Sequence, residues 1–225
     1  MPMCDRKIEK ELQKHILGYF DSGFILSPGK RAKYSAADHL NVLLKTALEH
    51  GYIQGTARRL RNCWELHLPS GWTARRLLGS READDVEREL LSMNSSVLDS
   101  ARRMGLFRKQ VICATDSSDT EYYGETDRLV VGGKQKNGTN HFHRISTTVP
   151  VSGGIKFDLG TVVRKPMDSD TGALEMLIDS SSACVDAWLC LLDRCFRSAE
   201  NWKLFDDMGK RYLMPYPLDD RVEGD

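Results

Sequence analysis

Apolar residues recur at helical spacing through the first half of the chain and as short unbroken runs through the second. Ile8, Leu12, Ile16 and Leu17 share one face of a helix predicted over residues 7–20. Ser27, Pro28 and Gly29 break that pattern. Ser35, with Asp38 three positions on, has the form of a capping box and opens a second helix. Its inward stripe reads Leu40, Leu43, Leu44, Ala47 and Leu48, and Gly51 is its expected C-terminal cap. Short helices are predicted over residues 54–61 and 73–78. A longer one follows Ser80, acidic at its start (Glu82, Asp84, Asp85) and basic at its end (Arg102, Arg103, then Gly105), the polarity a helix dipole favours. Val86, Leu90, Met93, Val97, Ala101 and Met104 form its apolar face.

The texture changes near residue 108. Val111 to Thr115 is a short apolar run with the character of a buried strand. Strands are predicted over residues 128–131 and 142–151, separated by GGKQKNGT, which reads as turn chemistry. Another is predicted over 155–163. A helix over 169–183 precedes AWLCLL, a continuous apolar run expected of a strand covered on both faces. A helix over 197–208 and a strand over 211–214 complete the order. The expected class is α/β. A helical N-terminal region, residues 1–108, precedes a mixed sheet with flanking helices over 109–225. The run of consecutive strands implies an antiparallel meander, and the later alternation with helices implies parallel crossovers.

Composition changes this picture in one respect. The 225 residues carry 32 Lys and Arg against 32 Asp and Glu, yet the first 110 hold 19 basic and 13 acidic residues and the remainder reverses that ratio. A basic front half suits a polyanionic partner, and gathered carboxylates behind it suit a metal ion; scatter between two halves of a soluble protein is the other reading. No apolar run approaches a bilayer span and no signal-peptide segment opens the chain, so an intracellular protein with no membrane partner is expected. None of the six cysteines (Cys4, Cys63, Cys113, Cys184, Cys190, Cys195) forms a CxxC pair, and four lie in or beside apolar segments, which favours reduced thiols over a disulfide or zinc framework.

Asp116 follows the apolar run of the first strand, and Asp193 follows AWLCLL. Neighbouring strands would bring the two carboxylates together. Two close carboxylates repel unless a cation neutralises them, and Mg²⁺ is the natural oxygen-seeking choice. Two such ions can activate a water or hydroxyl and stabilise a leaving oxygen at a phosphodiester. Alternatively, both residues are turn formers or helix caps.

Four segments in order resemble the motifs of archaeal and bacterial insertion-sequence transposases of the DDE class. ATDSSDTEYYG, residues 114–124, is similar to their first catalytic motif, an Asp on the first strand followed by a tyrosine pair and glycine. GTNHFHR, residues 138–144, resembles a Gly-Thr turn entering a strand with His-Arg. LLDRCF, residues 191–196, resembles the second catalytic motif, and KRYLMP, residues 210–215, the strand that follows. The resemblance covers residues 111–216. It implies a ribonuclease H-like sheet, Asp116 and Asp193 as catalytic ligands of Mg²⁺ or Mn²⁺, and cleavage and strand transfer at the double-stranded DNA of transposon ends. The family spacing picks Asp116 over Asp119, which is left as a turn or a supporting group. The family's third acidic residue, on a helix after the last strand, has no counterpart: Glu223 lies in a polar tail, and Glu175 and Glu200 fall on other helices. The expectation is therefore a C-terminally truncated transposase with an incomplete ribonuclease H-like domain, or a non-catalytic DNA-binding remnant. The implied setting is a prokaryotic cytoplasm at the nucleoid, with homo-oligomerisation open.

The expected DNA contacts lie in both regions. Arg58, Arg59 and Arg61 fall on one short helix and Arg75 and Arg76 on the next, an arrangement resembling a helix-turn-helix module whose arginines would neutralise phosphates. Ordinary solvated helix faces are the alternative. Trp64 and Trp72, between these pairs, read as core residues, with a stacking role as the alternative. His143 and Arg144 are placed near the DNA backbone or in structural packing. His141 and His143 also form an HxH pair that would suit zinc if further ligands converged. Lys134 and Lys136 are either phosphate contacts or solvated turn residues.

Overall fold

A computed structural model of the chain describes residue 18, residue 26 and residues 28–63, 66–107, 109–151 and 157–215. The helix expected over 7–20, apart from residue 18, and Trp64 lie outside the described residues, as does the polar tail. Contacts divide the chain into two compact units, residues 1–97 and 98–225.

The first unit is helical: α1 (Ala36–Leu48), α2 (Ile53–Cys63), α3 (Gly71–Gly79) and most of α4 (Ala83–Arg103). The capping box is present. The Ser35 side chain accepts from the Asp38 amide, and Asp38 accepts from the Ser35 amide at 2.8 Å. The chain turns left-handed after α1 at His50 (φ 48°) rather than at Gly51, and Glu49 is the C-cap. The α1 stripe is shifted from the predicted one: Leu40 and Val42 are fully buried, while Leu48 is exposed. Val42, Ala57, Leu60, Leu68 and Ala74 make one core cluster, and Leu26, Leu40 and Met93 make a second with Leu43 and Val86 against them. Small residues at 57 and 74 let the helices approach closely. Along α4, Leu90 and Met104 are exposed despite falling on the predicted apolar face. Gly105 takes the left-handed conformation (φ 81°) that ends the helix.

The second unit is a six-stranded mixed sheet with two helices: β1 (Val111–Glu121), β2 (Val131–Lys136), β3 (Thr139–Pro150), β4 (Gly160–Val163), α5 (Asp170–Cys184), β5 (Ala187–Leu192), α6 (Ala199–Asp207) and β6 (Tyr212–Leu213). The strand order is β2-β3-β1-β5-β6, with β4 also paired to β3. β1 and β4 run antiparallel to β3, whereas β5 is parallel to both β1 and β6. Set β2 aside, and β4-β3-β1-β5-β6 is an antiparallel meander followed by parallel crossovers. The α/β expectation holds, and this order is consistent with a ribonuclease H-like core.

One face of the sheet carries the core. Cys190 and Leu192 of β5 pack with Leu174 and Ile178 of α5, with Phe196, and with Phe205 of α6. Val162 of β4 packs on Ala173 and Leu177. A Cβ at Gly160 would lie 3.0 Å from the Ser180 side chain, so glycine there admits α5 onto the strand. The hydroxyls of Thr115 and Thr148, and of Ser117 and Ser146, bond across β1 and β3 at 2.7 Å each, satisfying polar groups carried into the buried face.

Several strands differ from the sequence reading: residues 128–130 and 157–159, expected in strands, are not strand. β1 continues through Asp116 to Glu121, because polar residues beyond 115 find partners across β3. GGKQK is mostly strand, and the turn is confined to Asn137 (φ 49°) and Gly138 (φ 86°), the pair of left-handed residues that a tight hairpin twist requires. No described helix is long and apolar enough to cross a membrane.

Candidate functional site

Parallel pairing of β1 and β5 runs from Ile112↔Leu189 to Thr115↔Leu192, which puts Asp116 level with Asp193 one step further on. The Asp193 amide reaches back to the Thr115 carbonyl at 3.3 Å, holding the end of β5 against β1. Both side chains are exposed. Each carboxylate has one oxygen tied at 2.7 Å by the amide of the following residue, Ser117 for Asp116 and Arg194 for Asp193. Asp193 thereby caps the 3-10 turn Arg194–Phe196. The capping role proposed as an alternative for Asp193 is thus present, and it leaves the remaining lone pairs of both carboxylates for other partners.

Cys195 marks how close these acids lie. Although the residue as a whole is exposed, its thiol is pushed up to about 11, first by desolvation and then by the charges of Asp193, Asp116 and Asp170, with a hydrogen bond to Asp193. Burial is the larger cause, and the neighbouring carboxylates add to it. Neither Asp116 nor Asp193 pairs with a lysine or arginine among the described residues. Carboxylate oxygens are the ligand type that a divalent cation such as Mg²⁺ takes. Among the described residues, no group of three or more His, Cys, Asp and Glu side chains is disposed to hold a metal. His141 and His143 therefore gain no further ligands for zinc there.

Arg144 stands opposite Asp119 across β3 and β1 and grips it with two bonds, Nε at 2.7 Å and a terminal nitrogen at 2.9 Å. The Arg144 guanidinium holds the Asp119 carboxyl below its usual range, against the opposing effect of burial. Asp119 is thus a strand residue rather than a turn, and it fixes the orientation of Arg144. The neighbouring Arg164 amide bonds to the Arg144 carbonyl, and the buried Arg164 side chain pairs with Asp170 at the start of α5 at 2.7 Å. The pattern that would have found these groups is cross-strand complementarity, which requires the register. The His143 ring meets Tyr122 edge-on at 4.6 Å, and its Nδ1 lies 3.3 Å from the Leu129 carbonyl, so it serves packing. Lys136 pairs with Glu121 at 3.4 Å.

The helical unit presents the other candidates. Arg58, Arg59 and Arg61 on α2 and Arg75 and Arg76 on α3 are all exposed. Arg59 is paired with Glu49. Trp72 was expected in the core, but it is 58% exposed, with the Arg76 guanidinium 4.8 Å above its ring. The sequence reading judged it by hydrophobicity alone. Its position three and four residues before Arg75 and Arg76 places it on their face of α3.

No protein-family profile matches the chain, and no curated protein matches it in sequence. Solved structures similar to it include a chain of the simian T-cell lymphotropic virus intasome in complex with PP2A regulatory subunit B56 gamma (14% identity, TM-score 0.33, covering 80% of this chain and 54% of that one). Two more are the Mos1 strand transfer complex (10% identity, TM-score 0.29, covering 96% and 68%) and a pre-cleavage Mos1 transpososome (11% identity, TM-score 0.28, covering 97% and 69%). The chain spans about half the length of the intasome chain. Likeness at this level carries no argument by itself.

Proposed function

We propose that the chain is a DNA-strand-processing protein of transposase type, which binds transposon-end duplex through its helical unit and presents a phosphodiester to Asp116 and Asp193. The observation that carries this reading is the parallel pairing of β1 and β5 up to Thr115↔Leu192, the residues directly before Asp116 and Asp193. In this reading Asp116 and Asp193 hold a divalent cation, Mg²⁺ or Mn²⁺. When bound, that cation would supply activation of water or a 3′-hydroxyl and neutralisation of the leaving oxygen. Arg144, oriented by Asp119, faces the backbone phosphate, and the arginines of α2 and α3 neutralise phosphates along the duplex.

The test is Mg²⁺- or Mn²⁺-dependent nicking of labelled transposon-end DNA by the parent, Asp116→Asn and Asp193→Asn. The expected result is a loss of about 10³-fold or more in each variant, with DNA affinity within about twofold, since the lost cation stabilises the transition state by several kcal/mol. Equal activity in parent and variants would sink the assignment. A second reading, DNA binding without cleavage, is favoured by the lack of a third convergent ligand among the described residues. It predicts salt-sensitive binding and no nicking by the parent.

A further inference from the structure

Among the described residues of the first unit, Tyr52 is 90% exposed and Trp72 is 58% exposed. They belong to one end of one helix pair. A Cβ on Gly71 would fall 2.6 Å from the Ile53 carbonyl oxygen and 2.8 Å from the Gln54 Cα, so the start of α3 is pressed against the start of α2. Tyr52 precedes that contact on one chain segment and Trp72 follows it on the other. The Arg76 guanidinium lies against one face of the Trp72 ring and braces a flat apolar plate at the surface.

The charge on the two helices is basic, with one arginine, Arg59, paired to Glu49 ahead of Tyr52. α2 and α3 contain five arginines and no acidic residue. Such a surface complements a polyanion, and two copies of it facing each other about a two-fold axis would repel. Arginines alone suffice to hold phosphates. A rigid, open aromatic face contributes nothing to a phosphate but matches the π-face of a nucleobase. Bases inside a duplex have both faces covered by their neighbours, whereas an unpaired base at a duplex end has one to offer.

We infer that this end of the helical unit is a stacking site for an unpaired nucleobase at the end of a DNA duplex, with Trp72 as the platform, Arg76 as its brace and Tyr52 as a second aromatic wall. The inference rests on the DNA-binding reading above and adds a preference for splayed over blunt ends.

The experiment measures binding of the full chain, by fluorescence anisotropy across a salt series, to a blunt duplex and to the same duplex with short unpaired tails. The parent should favour the tailed DNA. Trp72→Ala should lose about tenfold in affinity for the tailed DNA and stay within about twofold on the blunt one, with the salt slope unchanged. Trp72→Phe, which keeps a smaller ring, should retain part of the preference and guards against misfolding of the alanine variant. Arg75→Gln should weaken both DNAs alike and lower the salt slope by about one. Equal losses on the two DNAs in Trp72→Ala, or a change in sedimentation mass in place of a change in DNA affinity, would overturn the stacking site and leave the functional reading standing. A parent that binds neither DNA would overturn both.

Discussion

The helical unit carries its candidate arginines on exposed helix faces, whereas the sheet unit carries its candidate charges at strand ends and across strand pairs. Arg58, Arg61, Arg75 and Arg76 owe their exposure to the helical period alone. Asp116, Asp193 and Arg144 owe their positions to pairing between segments far apart in the chain. A charge in the first unit is therefore displaced only if a helix rotates. A charge in the second is displaced by a slip of one residue in register, which would turn it to the other face. In the proposed function, DNA binding tolerates sequence drift better than the carboxylate pair does.

The comparison is most sharply tested by damaging one unit at a time. Phe205 is fully buried, 4.9 Å from the Tyr212 ring and beneath the end of β5. Phe205→Ala should cost about 3–5 kcal/mol in urea unfolding of the sheet unit, while salt-sensitive DNA binding persists. Loss of DNA binding along with the sheet would show that the two units do not act separately. Gly71→Ala should act in the other unit. Its methyl would meet the Ile53 carbonyl, backbone that cannot move without parting α2 from α3. The clash, about 1–3 kcal/mol, exceeds the roughly 1 kcal/mol gained in helix propensity. Thermal melting of the helical unit should fall, and divalent-ion nicking at saturating DNA should survive.

The smallest effect expected is a pH dependence confined to the helical unit. Burial lowers the His39 imidazole below its ordinary 6.5, opposed by the nearby Asp38 charge, and its Nδ1 has no hydrogen-bond partner. The folded state thus binds fewer protons than the unfolded one at mildly acid pH. Stability should be complete above about pH 6.5 and decline as pH falls through that value toward the folded-state pKa. The decline should be absent in His39→Phe, as read by helical melting between neutral and mildly acid buffer.

Features set by neighbours in sequence were legible from sequence. The Ser35–Asp38 box, the acidic-to-basic run of α4 and the AWLCLL strand needed only local rules. The strand GGKQK was missed because Gly132 and Gly133 look like a turn, while their strand identity comes from pairing with β3. The polar stretch after Thr115 was missed for a related reason: Ser117 and Asp119 satisfy themselves against Ser146 and Arg144, residues that no local window contains. The level placement of Asp116 and Asp193 follows from strand order, which sequence pattern supports only as one arrangement among several. Trp72 was misjudged because hydrophobicity ranks a residue type and says nothing of which side of a nine-residue helix it occupies.

Cys113 and Cys190 lie side by side on β1 and β5, both buried, with the Cys113 thiol pushed up to about 12 and that of Cys190 also raised. Cys63, on the helical unit, is exposed. A thiol-labelling reagent added to the native protein should therefore modify Cys63 promptly, the exposed but harder-to-ionise Cys195 more slowly, and the inner pair only in molecules whose central seam has parted. The delay between the first and last of these signals is a clock that times how long the seam aligning Asp116 with Asp193 stays shut.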